Sequence, residues 1–187
     1  MKHFTHLTLS LFAVTALAGV ALADPGDKTG DKTAAPTMPK APDQLLAAAK
    51  AMTGTWKCTG QAMDMASNKM APTKATIKNK ADLDGWWIVT SFAETKKGGY
   101  KFTELSSFDG TKWSRDMFDN MGGHETDTST GMADNKMSWE GNSVSSMGTM
   151  KSRHTEEIKG AKEIHMSGEY SQDGKTYMQV YDLTCKK

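Results

Sequence analysis

The chain has 187 residues, 37% of them apolar and 24% charged, with 17 Gly, 5 Pro and a formal net charge of +1 at pH 7. This profile fits one globular domain and excludes collagen-like and wholly disordered chains. The near-neutral balance also argues against a dedicated nucleic-acid or anionic-membrane binder.

Residues 1–23 read as a signal peptide. Lys2 opens a short basic region, Leu7 to Val20 form an apolar run too short for a stable membrane span, and Ala21-Leu22-Ala23 is a small-x-small cleavage site. The expected product is exported, periplasmic or extracellular, begins at Asp24 and has no membrane span. In an oxidising compartment Cys58 and Cys185 are a natural disulfide pair, which would bring the start of the folded region beside its end. Residues 24–41 are rich in Gly, Pro, Asp and Lys without hydrophobic periodicity and are expected to form a disordered linker. The near-repeat Gly26-Asp27-Lys28-Thr29 and Gly30-Asp31-Lys32-Thr33 lacks the ligand spacing of a calcium loop.

The folded domain is expected over residues 42–187. It starts with one short helix, Pro42 to Met52, rich in Ala and Leu, with Asp43 as its cap and Gly54 beyond its end. Short alternating segments follow. Strands are expected at Thr55–Met63, Lys74–Leu83, Trp86–Glu94, Tyr100–Phe108, Lys112–Phe118, His124–Thr130, Lys136–Glu140, Thr149–Ile158, Glu163–Tyr170 and Thr176–Cys185, with Asp109-Gly110 and Asp173-Gly174 as hairpin turns. About ten strands and no second helical pattern exclude a parallel sheet with crossover helices. Linking the first strand to the last selects a closed antiparallel up-and-down barrel over a sandwich, because closure removes exposed edges.

Alternation sorts the faces. Trp113, Arg115 and Met117 share one side of their strand; so do Met137 and Trp139; so do Met150, Ser152, His154, Glu156 and Ile158; so do Ile164, Met166 and Gly168; and so do Tyr177, Gln179, Tyr181, Leu183 and Cys185. Charged residues riding among large apolar ones suggest a cavity holding water or ligand rather than a solid core.

Gly54-Thr55-Trp56, placed just after the helix, resembles the Gly-x-Trp signature that opens lipocalin and fatty-acid-binding barrels, in which the Trp packs across the closed end. With Gly85-Trp86-Trp87-Ile88, then Phe108-Asp109-Gly110-Thr111-Lys112-Trp113, then Gly122-Gly123, the chain over about residues 45–185 resembles the exported bacterial family catalogued as domain of unknown function 1579. The resemblance implies a lipocalin-like barrel and carries no catalytic residues or cofactor with it.

The expected function is therefore binding of a small hydrophobic or amphipathic molecule without catalysis and without a cofactor. Trp56 would seal one end. Trp86, Trp113, Met117, Trp139, Met166 and Tyr181 would line the interior, and Arg115, with His154, would fix a polar head, since a guanidinium fork binds carboxylates at two points. Internal pairing of Arg115 with Glu104 or Glu156 is the competing reading. The 14 Met open a second function, a copper-binding protein using soft thioether and imidazole ligands, with Met117, Met121 and His124 as one cluster and Met63, Met65 and Met70 as another. A structural envelope module with a filled barrel is the third. Asp116, Asp119, Glu125 and Asp127 read as a solvated acidic hairpin, and no nucleophile elbow, zinc-protease helix or phosphate loop is present.

Overall fold

The computed structural model describes residues 38–187. The expected signal peptide, the Gly-Asp-Lys-Thr repeat and the linker up to residue 37 lie outside the described residues. The described chain contains one helix, α1 (Asp43–Met52), and eleven strands. These are β1 (Gly54–Asp64), β2 (Lys69–Asp82), β3 (Trp87–Glu94), β4 (Lys101–Phe108), β5 (Trp113–Asp119), β6 (His124–Ser129), β7 (Met132–Ala133), β8 (Lys136–Ser145), β9 (Gly148–Gly160), β10 (Glu163–Ser171) and β11 (Met178–Lys186).

Ten of the strands form a closed antiparallel barrel. Each pairs with its neighbour in sequence, β11 pairs with β1, and β6 pairs with β8 across the two-residue β7. Residues Cys58 and Cys185 face each other directly in the β1–β11 register and are joined by a disulfide. The barrel is thus sealed where the first and last strands meet, by a ladder of hydrogen bonds and one covalent link.

Helix α1 covers one end of the barrel. Its buried residues Leu45 and Ala49 are four apart on one face, and they join Ala41, Ile88, Phe108, Trp113, Met137 and Trp139 in one apolar cluster. The carbonyls that a helix leaves unpaired at its C-terminus are met by the barrel. The Met52 carbonyl accepts from the Trp56 indole at 2.8 Å and from Asn79 Nδ2 at 3.3 Å, and the Ala51 carbonyl accepts from Lys187 Nζ at 3.1 Å. The Thr53 backbone N–H and hydroxyl both donate to the Ala49 carbonyl. A second cluster, with Trp56, Cys58, Ala75, Ile77, Phe92, Leu183 and Cys185 at its centre, packs the wall around the closure.

Several local expectations need correction. Asp43 does not cap α1: Pro42 occupies the cap position with no side-chain bond, and Asp43 pairs instead with Lys40 at 2.7 Å. Ala41, placed in the linker by composition, is buried against the helix cluster. Trp86 lies outside β3 and ends a short 3-10 turn, Leu83–Gly85, because Leu83, Asp84 and Gly85 all take positive φ and break the strand. Strand β2 starts five residues earlier than expected, at Lys69, and β8 runs on to Ser145, since polar Lys, Asn and Ser on the outer face conceal extended backbone. Asp109 does shape its turn, its Oδ1 accepting from the backbone N–H of Thr111 at 2.7 Å and of Lys112 at 2.8 Å. Asp173 organises a wider loop between β10 and β11 by accepting from Lys175 and Thr176.

Candidate functional site

Beneath α1 the barrel holds a partly open cavity of about 150 Å³. Gln44, Ala48 and Met52 of the helix form its roof, and Ile88, Trp113, Met137, Trp139, Ile158 and Ile164 supply most of its apolar wall. Glu104, Ser106 and Glu156 are its polar wall. A smaller space of about 30 Å³ lies against the same Glu104, Glu156, Met52 and Ile164, and is bordered also by Trp56, Asn79, Thr90 and Met166. The two spaces meet at the pair of glutamates.

Beside the cavity the interior is polar. Arg115 is 5% exposed. Its Nε donates to Asp127 Oδ2 at 2.8 Å, and its Nη1 lies 3.1 Å from Glu156 Oε1 and 3.5 Å from Glu104 Oε2. Its guanidinium carbon sits 4.5 Å from the centre of the Trp139 ring, a cation–π geometry. Asp127 Oδ1 accepts from Ser152 at 2.7 Å, and Ser106 donates to Glu104 at 2.9 Å. On the far side of Asp127, His154 Nε2 is 2.6 Å from Glu125 Oε1, His154 Nδ1 is 3.0 Å from the Tyr181 hydroxyl, and Tyr170 donates to Glu125 Oε2 at 2.8 Å. Nδ1 pairs with the Tyr181 hydroxyl, while Nε2, for all its closeness to Glu125, makes no hydrogen bond.

Burial and the neighbouring Arg115 hold the His154 imidazole down to about 3, so it is neutral. Burial opposes the charge on Arg115, but Glu104, Glu156 and Asp127 outweigh it and keep the guanidinium firmly protonated. Burial pushes Glu156 up to about 7; Arg115 pulls against that shift and Glu104 adds to it. Asp127 is also raised, first by burial and then by Glu125, with Arg115 opposing. Three carboxylates, Glu104, Asp127 and Glu156, thus share one guanidinium, with Glu125 as a fourth carboxylate beside Asp127. The network is rich in acid.

The structure gathers most of the candidate lining residues at the α1 end. Trp113 and Trp139 face the main cavity, while Trp56 and Met166 border the smaller space. Trp86 is partly buried against the helix cluster, outside the cavity lining, and Met117 is half-buried. Tyr181 and His154 belong to the polar network rather than to the cavity wall. Arg115 points inward yet is engaged by Glu104, Asp127 and Glu156, so the cavity presents carboxylates where a guanidinium was expected. Met121 and His124, at the β5–β6 turn, are exposed.

Glu125 and Asp127 do not form part of a solvated acidic hairpin; they are 2% and 1% exposed. Period-two alternation along β6 places Glu125, Asp127 and Ser129 on one face, and antiparallel register sets Asp127 directly beside Arg115. Both faces of β6 are polar, so no apolar stripe marks which side is inner. Asn79 follows Ala75 and Ile77 on the inner side of β2, with Lys74, Lys78 and Lys80 outward, and that alternation could have found it. Ligand atoms of Glu125, Asp127 and His154 lie within 4.8 Å of one another. They are nevertheless held by Tyr170, Ser152, Tyr181 and Arg115, and the guanidinium supplies the positive charge there, so the trio reads as an internal hydrogen-bond network rather than an ion site.

Among solved structures, the chain is similar to the crystal structure of Rv2717c from M. tuberculosis, with a TM-score of 0.62 and 11% identity over 80% of this chain and 99% of that one. At that identity the likeness shows the barrel fold. No family model and no curated protein matches the chain.

Proposed function

We propose that this protein is an exported carrier or sensor barrel that binds a small, largely apolar molecule in the cavity beneath α1 and does not transform it. The observation that carries the reading is the partly open space of about 150 Å³ walled by Trp113, Trp139, Ile88, Met137, Ile158 and Ile164, with the exposed Met132 at its edge. A cavity of this size accommodates a single ring, about six to eight non-hydrogen atoms, and is too small for a long-chain fatty acid. Export is supported by the Cys58–Cys185 disulfide. No helix among the described residues is long and apolar enough to cross a membrane. Membership of the exported family of unknown function 1579 is part of the same proposal and rests on the Gly-x-Trp triplet and the motifs that follow it.

The test is a titration of the mature protein with toluene, followed at the indole N–H resonances of Trp113 and Trp139. Saturable shifts confined to these two indoles and to α1 are expected, and Ala48→Phe, which puts a ring into the roof of the cavity, should abolish them. If toluene produced no saturable shift, and native mass spectrometry of protein from its own host showed the bare polypeptide, the interior would be a structural core and the binding reading would fail.

A further inference from the structure

We propose that the ligand of this cavity is a small cationic amine with an apolar body, its ammonium group held between Glu104 and Glu156. The inference rests on the binding function proposed above and names the class of molecule bound.

The wall decides the sign of charge. Every ionisable group bordering the two spaces is a glutamate, and the same two, Glu104 and Glu156, border both. Arg115 borders neither space, and its Nε and Nη1 are taken by Asp127 at 2.8 Å, Glu156 at 3.1 Å and Glu104 at 3.5 Å. A ligand carboxylate would therefore meet two carboxylates, with only the unpartnered indole N–H groups of Trp113 and Trp139 to receive it. A ligand ammonium would meet two acceptors in a low-dielectric site, where charge-assisted hydrogen bonds are strongest.

A second, independent observation points the same way. Asn79 is 7% exposed and borders the smaller space; its Nδ2 donates to the Met52 carbonyl, but its Oδ1 has no donor. A buried acceptor without a donor is costly, and a group carrying N–H would relieve it. Three acceptors, Glu104, Glu156 and Asn79 Oδ1, thus border the small space that opens beside the apolar chamber. An ammonium has three donors. Glu156, raised to about 7 by burial despite Arg115, is a carboxyl short of counter-charge, which is what a bound cation would supply.

The experiment compares three probes of one ring each at pH 8: toluene, benzylamine and benzoate. Benzylamine is expected to bind about tenfold or more tightly than toluene, and benzoate more weakly than toluene. In Glu104→Gln and in Glu156→Gln the ratio of benzylamine to toluene affinity should fall toward one, a quantity insensitive to any general loosening of the cavity. If toluene binds but benzylamine has no advantage, or if benzoate binds best, the amine assignment is overturned while the binding cavity stands. If none of the three binds, the binding function itself fails and the amine assignment falls with it.

Discussion

Arg115 shows how a single buried charge can organise an interior and at the same time be lost to ligand chemistry. A guanidinium taken from water is costly unless its donors are met, and here three carboxylates from β4, β6 and β9 meet them. Folding changes the proton affinity of Glu156 and His154 in opposite directions, and the pH dependence should reveal both. Glu156 is raised from its ordinary 4.5 to about 7, so folding takes up a proton between these values, and its contribution to stability falls as pH rises through that window. His154 is lowered from 6.5 to about 3, so folding releases a proton, and its contribution falls as pH drops through that window. Between about pH 4.5 and 6.5 the two slopes oppose each other. The native protein should therefore keep a nearly constant urea midpoint there, whereas Glu156→Gln should lose about 2 kcal/mol as pH falls across the same interval and the His154 slope is exposed. An equal pH dependence in both proteins would refute the assignment of these protons.

The same network depends on two glycines that let strands approach. A Cβ at Gly168 would overlap the Tyr181 ring and come within 2.6 Å of His154 Nδ1, and one at Gly141 would strike the Thr126 carbonyl and lie 2.7 Å from Asp127 Cα. Neither position has positive φ, so space rather than backbone freedom demands glycine. Gly168→Ala should cost about 2 kcal/mol or more in urea unfolding, while Gly160→Ala, whose Cβ meets nothing within 4 Å, should change stability by less than about 0.5 kcal/mol.

At the scale of elements, α1 is the part that roofs the open barrel end. Its ten residues are too few to be stable alone, so its helicity depends on the apolar face set by Leu45 and Ala49 and on the carbonyl contacts from Trp56, Asn79 and Lys187. The Gly-x-Trp triplet is legible in the sequence, and its physical role becomes clear in the fold, where the Trp56 indole ties the last turn of the helix to β1. Leu45, which is fully buried, is the residue on which that docking turns. Leu45→Ala should destabilise by about 2–4 kcal/mol in chemical denaturation and should also weaken toluene binding, because Gln44, Ala48 and Met52 form the roof. Weakened stability with unaltered probe binding would show that the helix does not roof the chamber.

For the whole molecule, closure is both topological and covalent. The disulfide joins residues 127 apart in sequence yet directly opposed in the ladder. Cross-linking so long a loop stabilises by about 4–5 kcal/mol on the chain-entropy model. Because the β1–β11 ladder persists without the link, the double variant Cys58→Ser/Cys185→Ser should keep its β-rich circular dichroism but melt at markedly lower temperature. Collapse of the far-ultraviolet signal at room temperature would mean that hydrogen bonding and packing alone cannot close the barrel.

Strand type, chain order, the leading helix, the cysteine pair and the meeting of first and last strands all follow from local signals: alternation, turn residues, Ala and Leu at helical spacing, and the count of cysteines. These are short-range properties that one sequence displays. Which side of a polar strand faces inward is not such a property. On β6 both faces are hydrophilic, so only the register against β5 and β8 in the closed barrel turns Glu125 and Asp127 into the core and His124 into solvent. The fate of Arg115 depends likewise on Glu104 and Glu156, contributed by β4 and β9 and brought to one point only when the sheet has curled on itself. Fold class was therefore readable along the chain, whereas the size of the chamber and the sign of its wall were decided by closure, which alone brings charges distant in sequence within hydrogen-bonding reach.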